Sequence, residues 1–280
     1  MPEAPIEPRG SIDKSVLPYV GHLPDMSGRL AIDIPSGVGR ARGLLARRGA
    51  TVRAFDLYPE FTNIEGVHGE YADMNDGIPV EDGYADFLIC QEGIEHMPDK
   101  IALFREFNRA LKTDGTLVVT TPNRSNARGR LWMALVESDS GRRMPVSEID
   151  SLWFTEKETD RLYFGHLFLT TVQHLQTVCS ITGFEIVERR RTAWSASAIV
   201  FGVLMYPFIA LGSLFAYMRY RGKNTHIDPG IRRRIFRDRL KLNLSPQTLF
   251  GKHIFWVLRK NKDVADRIAE LKAYAENKDV

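Results

Sequence analysis

Two cysteines in 280 residues, Cys90 and Cys179, are too few and too far apart for a disulfide framework or a zinc site. They suggest a reducing compartment. Excess charge of one sign is also scarce. A formal net charge of +3 provides no overall field for holding a nucleic acid, so none is expected as a partner. The opening residues, MPEAPIEPRGSIDK, contain acids and prolines and no apolar core, so no secretory signal is expected there and residues 1–28 read as a loose arm. No internal repeat is visible. With 44% hydrophobic and 26% charged residues, the composition is that of a folded chain.

What is present is an alternation of strand and helix patterns. RLAIDI, between Gly28 and Pro35, is a short buried strand. RARGLLARRGA follows as a helix with Ala41, Leu44 and Leu45 on one face, ended by Gly49. TVRAFD is a second strand, residues 67–71 a third after a crossover too short for a full helix, and ADFLIC a fourth. A helix over 98–111 turns Leu103, Phe104, Phe107 and Leu111 inward, and TDG leads into the fifth strand, TLVVTT. A helix over 170–182 closes at Gly183 before a sixth strand, FEIVERR, and KHIFWVLRK supplies the last. This order specifies a doubly wound, Rossmann-like α/β fold: a seven-stranded mixed sheet with its site at the strands' carboxyl ends. The expected division is a cofactor-binding core over 29–123, a substrate lid over 124–168, completion of the sheet over 169–260 with an apolar helical insertion at 192–250, and a C-terminal helix over 261–280.

The turn after the first strand, AIDIPSGVGR, narrows the ligand. GVGRAR offers Gly37 and Gly39, but Arg42 stands where a dinucleotide fold wants a third small residue beside a pyrophosphate. Pro35 removes a backbone donor at the strand exit. A nucleoside with little anionic bulk fits better, and S-adenosylmethionine is one. Asp33 is placed for its ammonium, and Asp56, 19 residues after Gly37, for both ribose hydroxyls. A nicotinamide-dependent oxidoreductase is the rival, with Pro35 and Arg42 against it.

Taken in order, AIDIPSGVGR, VRAFD, GEYADMN, ADFLICQEGIEHMPD, LFREFNRALKTDGTLVVTTPN and GHLFLTTVQHLQTVCSITGFEIV resemble the class I S-adenosylmethionine-dependent methyltransferases. The likeness covers residues 29–191 and the strand at 253–259. It implies that Ser36, Gly37 and Gly39 frame the cofactor loop, that Asp73 and Met74 hold adenine, and that Gln91 and Glu92 line the cofactor's tail or the methyl-transfer face. The family usually has glycine at the position of Pro35 and often cysteine at that of Ser36. Where the acceptor must lose a proton, His96 and His166 are the candidate bases. Glu92 and His96 have the i, i+4 spacing of two metal ligands, but no third ligand is evident in the sequence, and no metal is expected.

From Trp194 to Met218 no charge interrupts the chain, a length sufficient to cross a bilayer. The last strand must nevertheless rejoin the sheet, and basic residues flank both ends: Arg189, Arg190 and Arg191 before, Arg219, Arg221 and Lys223 after. Gly202, Pro207 and Gly212 offer breaks for a re-entrant or in-plane hairpin. Residues 219–241 hold nine Lys or Arg against two Asp, a patch suited to an anionic membrane surface. The expectation is a cytoplasmic enzyme, peripheral or monotopic at the inner face of the membrane. Its acceptor would be lipid-linked or apolar: a glycan lipid, a quinone precursor or another lipid. A non-catalytic, membrane-tethered scaffold of the same fold is the alternative.

Overall fold

A helix occupies the segment expected to be a loose arm. The computed structural model describes residues 6–62, 68–138, 147–155, 161–223 and 227–276. In it α1 spans Asp13–Gly21 and buries Val16, Leu17 and Val20, with Ile12 just before it. The prolines that suggested an arm, Pro2, Pro5 and Pro8, precede the helix, while Pro18 lies inside it. Burial of Val16 and Val20, one turn apart, outweighs the helix-breaking tendency of Pro18.

The alternation then unfolds as expected: β1 Leu30–Asp33, α2 Arg40–Arg47, β2 Thr51–Asp56, β3 Glu70–Tyr71, β4 Ala85–Gln91, α3 Lys100–Ala110 and β5 Leu111–Pro122. The described part of the β2–β3 crossover holds only a 3-10 turn at Pro59–Phe61; Val67, expected in the third strand, lies outside the described residues. α3 starts at Asp99, whose carboxylate accepts the Ala102 N–H, and turns Leu103, Phe104 and Phe107 into the core. The lid region contains α4 Ala127–Val136, α5 Glu148–Ser151 and an antiparallel pair, β6 Leu152–Thr155 and β7 Leu162–Phe164. After it come α6 Val172–Ile181, β8 Phe184–Arg189, α7 Ala196–Lys223, α8 Pro229–Asn243, α9 Pro246–Phe250, β9 His253–Lys260 and α10 Val264–Glu276.

Seven strands form one sheet in the order β3-β2-β1-β4-β5-β9-β8. The first five are parallel, and β9 runs antiparallel between β5 and β8. A buried hydrophobic cluster covers each face, one under α3 and α6, the other under α1 and α2. Strand order reverses between β1 and β4, which opens a crevice at their carboxyl ends.

The apolar insertion departs from the expected hairpin, because α7 is one continuous helix through Gly202, Pro207 and Gly212. Gly202 is used for close packing: a Cβ there would lie 2.5 Å from the Phe250 ring of α9. α8, from Pro229, runs back along α7. Tyr217 stacks on Phe236 with centroids 4.0 Å apart, and Asn243 donates to the Ser213 hydroxyl at 2.9 Å.

Candidate active site

A cavity of about 520 Å³ occupies the crevice at the ends of β1, β2 and β4. It brings together Asp33, Ser36, Gly37, Asp56, Asp73, Met74, Gln91, Glu92 and His96; of the residues expected at the site, Gly39 and His166 are not among its lining. Gly37 and Gly39 have φ of +50° and +82°, so the turn needs their freedom. Gly37 lines the cavity, and a Cβ there would meet no atom of the described residues within 4 Å beyond its chain neighbours.

Asp56 closes β2. Its Oδ2 accepts the Gly37 N–H at 2.8 Å and its Oδ1 the Tyr58 N–H at 3.0 Å. Each oxygen keeps a second lone pair, so the carboxylate can still accept two hydroxyls of a vicinal diol. Asp33, at the end of β1, is buried and accepts the Arg42 N–H at 3.0 Å. Burial pushes its carboxyl up to about 8; that hydrogen bond opposes the rise and the nearby Asp56 charge adds to it. A cation brought close would restore the charge. Ser36 sits deeper, buried with its Oγ 3.3 Å from the Thr62 hydroxyl, which in turn donates to the Gly37 carbonyl at 3.1 Å. Its observed role is to brace the turn.

One member of the expected site is engaged by the lid. Asp73 Oδ1 accepts the Asn75 backbone and side-chain N–H groups, both at 2.8 Å. Its Oδ2 accepts the Tyr163 hydroxyl at 2.8 Å and Arg161 Nη1 at 2.9 Å. Burial alone would raise this carboxyl, but the four donors outweigh it and hold the group below its ordinary range. The resemblance assigned Asp73 to an adenine amine; here both of its oxygens hold protein donors, and Arg161 and Tyr163 come from the segment expected to be a lid. Trp153, Tyr163 and Phe164 of that lid line the same cavity.

At the other wall Glu92 adopts φ +51°, a left-handed value unusual for a side-chain-bearing residue. The Thr120 hydroxyl donates to its Oε1 at 2.9 Å, and Oε2 lies 3.5 Å from His253 Nε2. Glu95, which sequence spacing did not single out, is wholly buried; Thr121 donates to one oxygen at 3.0 Å, and the other has no hydrogen-bond partner among the described residues. Burial raises both carboxyls, and repulsion from Glu95 adds to the rise at Glu92. His96 stacks on Trp153 at 4.5 Å, and its Nδ1 lies 3.1 Å from the Phe164 carbonyl. That carbonyl can only accept, so Nδ1 carries the hydrogen and Nε2 keeps its lone pair. Burial lowers the imidazole's pKa, which keeps it neutral.

His166 approaches the ring of His96 at 5.5 Å. Ligand atoms of Glu95, His96 and His166 lie within 4.8 Å of one another, a set that could hold a metal ion. The set joins His96 to Glu95 and His166, and not to the Glu92 with which sequence spacing had paired it. Asp13 is a further residue missed by sequence reasoning, since it sits on the unexpected α1. It accepts Gln91 Nε2 at 2.7 Å and Arg40 Nη1 at 2.9 Å, and all three line the cavity.

Residues 20–189 match the family described as "Methyltransferase domain". The chain belongs to the methyltransferase-domain family. Its cofactor is S-adenosylmethionine. Over 134 residues it is 31% identical to a ubiquinone biosynthesis O-methyltransferase of Xanthomonas oryzae pv. oryzae, covering 45% of this chain and 56% of that protein. Over 139 residues it is 33% identical to one from Xylella fastidiosa, covering 45% and 55%. The chain spans about half the length of the curated relatives it matches. Among solved structures it resembles methyltransferases of Methanosarcina mazei (14% identity, 87% of this chain and 97% of that one, TM-score 0.49) and Mesorhizobium loti (16%, 87% and 95%, TM-score 0.45). The pocket of this methyltransferase-family chain fits its cofactor chemically. The Asp56 carboxylate, the space beside Gly37 and the buried carboxyl of Asp33 line one cavity, within the roughly 300–1,000 Å³ of small-ligand sites.

Proposed function

We propose that this protein methylates an apolar, membrane-delivered acceptor: a quinone precursor first, with a glycan lipid or another lipid as the wider class. The single observation that carries the reading is one cavity lined both by Asp56 and by His96, the latter stacked on Trp153. Sequence likeness to ubiquinone biosynthesis O-methyltransferases favours a ring hydroxyl as the receiving group.

In this reading Asp56 binds the ribose, Asp33 faces the ammonium, and the Arg40 guanidinium, oriented by Asp13, meets the carboxylate of the cofactor's tail. When bound, the cofactor supplies a methyl group on a positively charged sulfur. With the cofactor held by Asp56, Asp33 and Arg40, the acceptor hydroxyl would receive that methyl, and the electron pair of the broken C–S bond would stay with sulfur. The hydroxyl proton passes to Nε2 of His96, with His166 beside it as the alternative base. Trp153, Tyr163 and Phe164 exclude water, and holding the two reactants in near-attack geometry supplies most of the acceleration, several kcal/mol. The protein works at the cytoplasmic face of the membrane, where such acceptors are held.

The test is incubation with methyl-labelled S-adenosylmethionine and a membrane extract, followed by partition of the label. Label is expected in the organic phase. Label confined to the aqueous phase refutes the apolar acceptor, and a chain that binds NAD but not S-adenosylmethionine refutes the reaction itself.

A further inference from the structure

We infer that α7 and α8 together form an in-plane anchor that docks on an anionic phospholipid bilayer, with α7 half-sunk in the interface and not passing through it. This deepens, and rests on, the membrane-delivered acceptor proposed above. α7 has 28 residues, about 42 Å of helix against a hydrocarbon core of about 30 Å, so its length alone would permit a span. Its packing opposes one. Contacts Ser213–Asn243, Tyr217–Phe236 and Arg221–Arg232 lay α8 antiparallel along the second half of α7. α8 carries Arg232, Arg233, Arg234, Arg237, Arg239 and Lys241 against a single acid, Asp238. A crossing by α7 would carry these cations into hydrocarbon, where each is strongly disfavoured.

The free side of α7 has the character of an interfacial helix. Val200, Val203, Leu204, Phe208, Leu211, Leu214, Phe215 and Met218 recur at helical spacing and are exposed, Phe208 by 73% and Leu211 by 65%. The other side is held: Ala198 and Gly202 are buried, Gly202 against Phe250 of α9. An apolar stripe with one face on protein can enter a bilayer only sideways. Charge selects the occupant. Arg219, whose guanidinium lies over the Phe215 ring of the stripe, and Arg221 end α7, and with Arg233, Arg234 and Arg237 on α8 they are exposed. Such a concentration of cations on the paired helices suits anionic headgroups and would repel a second copy of itself.

The surface is also tied to the active site. Trp194, just before α7, bridges to Gly251, and His253 two residues on reaches Glu92 in the cavity wall. α7 is therefore rooted at the sheet edge that carries the pocket.

The test uses the full chain and sedimentation with phosphatidylcholine vesicles, with and without phosphatidylglycerol. Binding is expected only with the anionic lipid. It should fall at least tenfold for Phe208→Glu/Leu211→Glu, and about fivefold per cation removed in Arg233→Gln, Arg234→Gln and Arg237→Gln. S-adenosylmethionine binding by each variant, unchanged, shows that the fold is intact and separates failure of docking from failure of the methyltransferase reading. Ala196→Cys and Gly222→Cys, both at exposed positions, report orientation, since Cys90 and Cys179 are buried. Labelling of both by an impermeant maleimide added outside is expected. Protection of one end would establish a span and overturn the in-plane anchor. Equal binding to neutral vesicles, absence of vesicle binding, or a dimer that the α7 variants dissolve would each overturn the anionic bilayer as partner.

Discussion

Replacing Asp56 by alanine tests the ribose site directly. The carboxylate keeps one free lone pair on each oxygen after accepting from Gly37 and Tyr58. Two hydroxyls donating to it form charge-assisted bonds worth about 1.5 kcal/mol each at the low end of their range. Losing both costs about 3 kcal/mol, roughly a hundredfold in Kd. The low end applies because Asp56 is only half-buried and water competes for it. Isothermal titration with S-adenosylmethionine and with S-adenosylhomocysteine is the assay. Both ligands share the ribose, so both should weaken equally. Asp56→Asn keeps one acceptor oxygen without the charge and should lose about tenfold. Thermal unfolding should move little, since water can satisfy the two exposed-side N–H groups left behind. A Kd for Asp56→Ala within about threefold of the parent would refute the assignment of Asp56 and with it the placement of the nucleoside.

Asp33 gives a pH signature. Its carboxyl is raised to about 8 in the ligand-free fold and is ordinary when unfolded, so the proton it holds stabilises the fold most in acid, and that stabilisation is lost as pH rises toward 8. Asp33→Asn should therefore raise the melting temperature near pH 8, by about 3 °C per kcal/mol relieved. Cofactor binding by the parent should release a proton and tighten with rising pH up to about 8, a slope that calorimetry in two buffers should find missing in Asp33→Asn. His96→Gln should lower kcat by roughly a hundredfold or more while leaving cofactor Kd unchanged. Because burial lowers the His96 pKa, the parent's rate should hold to below the ordinary histidine range before it falls in acid; a fall that begins above pH 6.5 would exclude His96 as the base. Arg161→Ala with Tyr163→Phe unties the lid from Asp73, so amide exchange in Leu162–Phe164 should quicken and acceptor KM should rise. Unchanged exchange would show that the lid is held elsewhere.

Local pattern made the sheet legible. Short apolar runs separated by amphipathic helices determine a parallel α/β core because each strand must bury both faces and each helix one. The glycine turn and the acid at the end of the second strand were equally plain, since their spacing follows from a single β-α-β step. Three features depended on the tertiary structure. α1 was hidden because its stability comes from burial of Val16 and Val20 against distant elements and not from its own proline-flanked sequence. The cluster of Glu95, His96 and His166 spans the lid and the core, whose meeting no local spacing encodes. The apolar segment declared its length but not its posture. Where Gly202, Pro207 and Gly212 suggested breaks, packing on α9 and α8 keeps the helix whole. Sequence thus determined which residues are apolar, charged or conformationally free; only the fold decided which of them meet, because burial and charge pairing depend on neighbours far away along the chain.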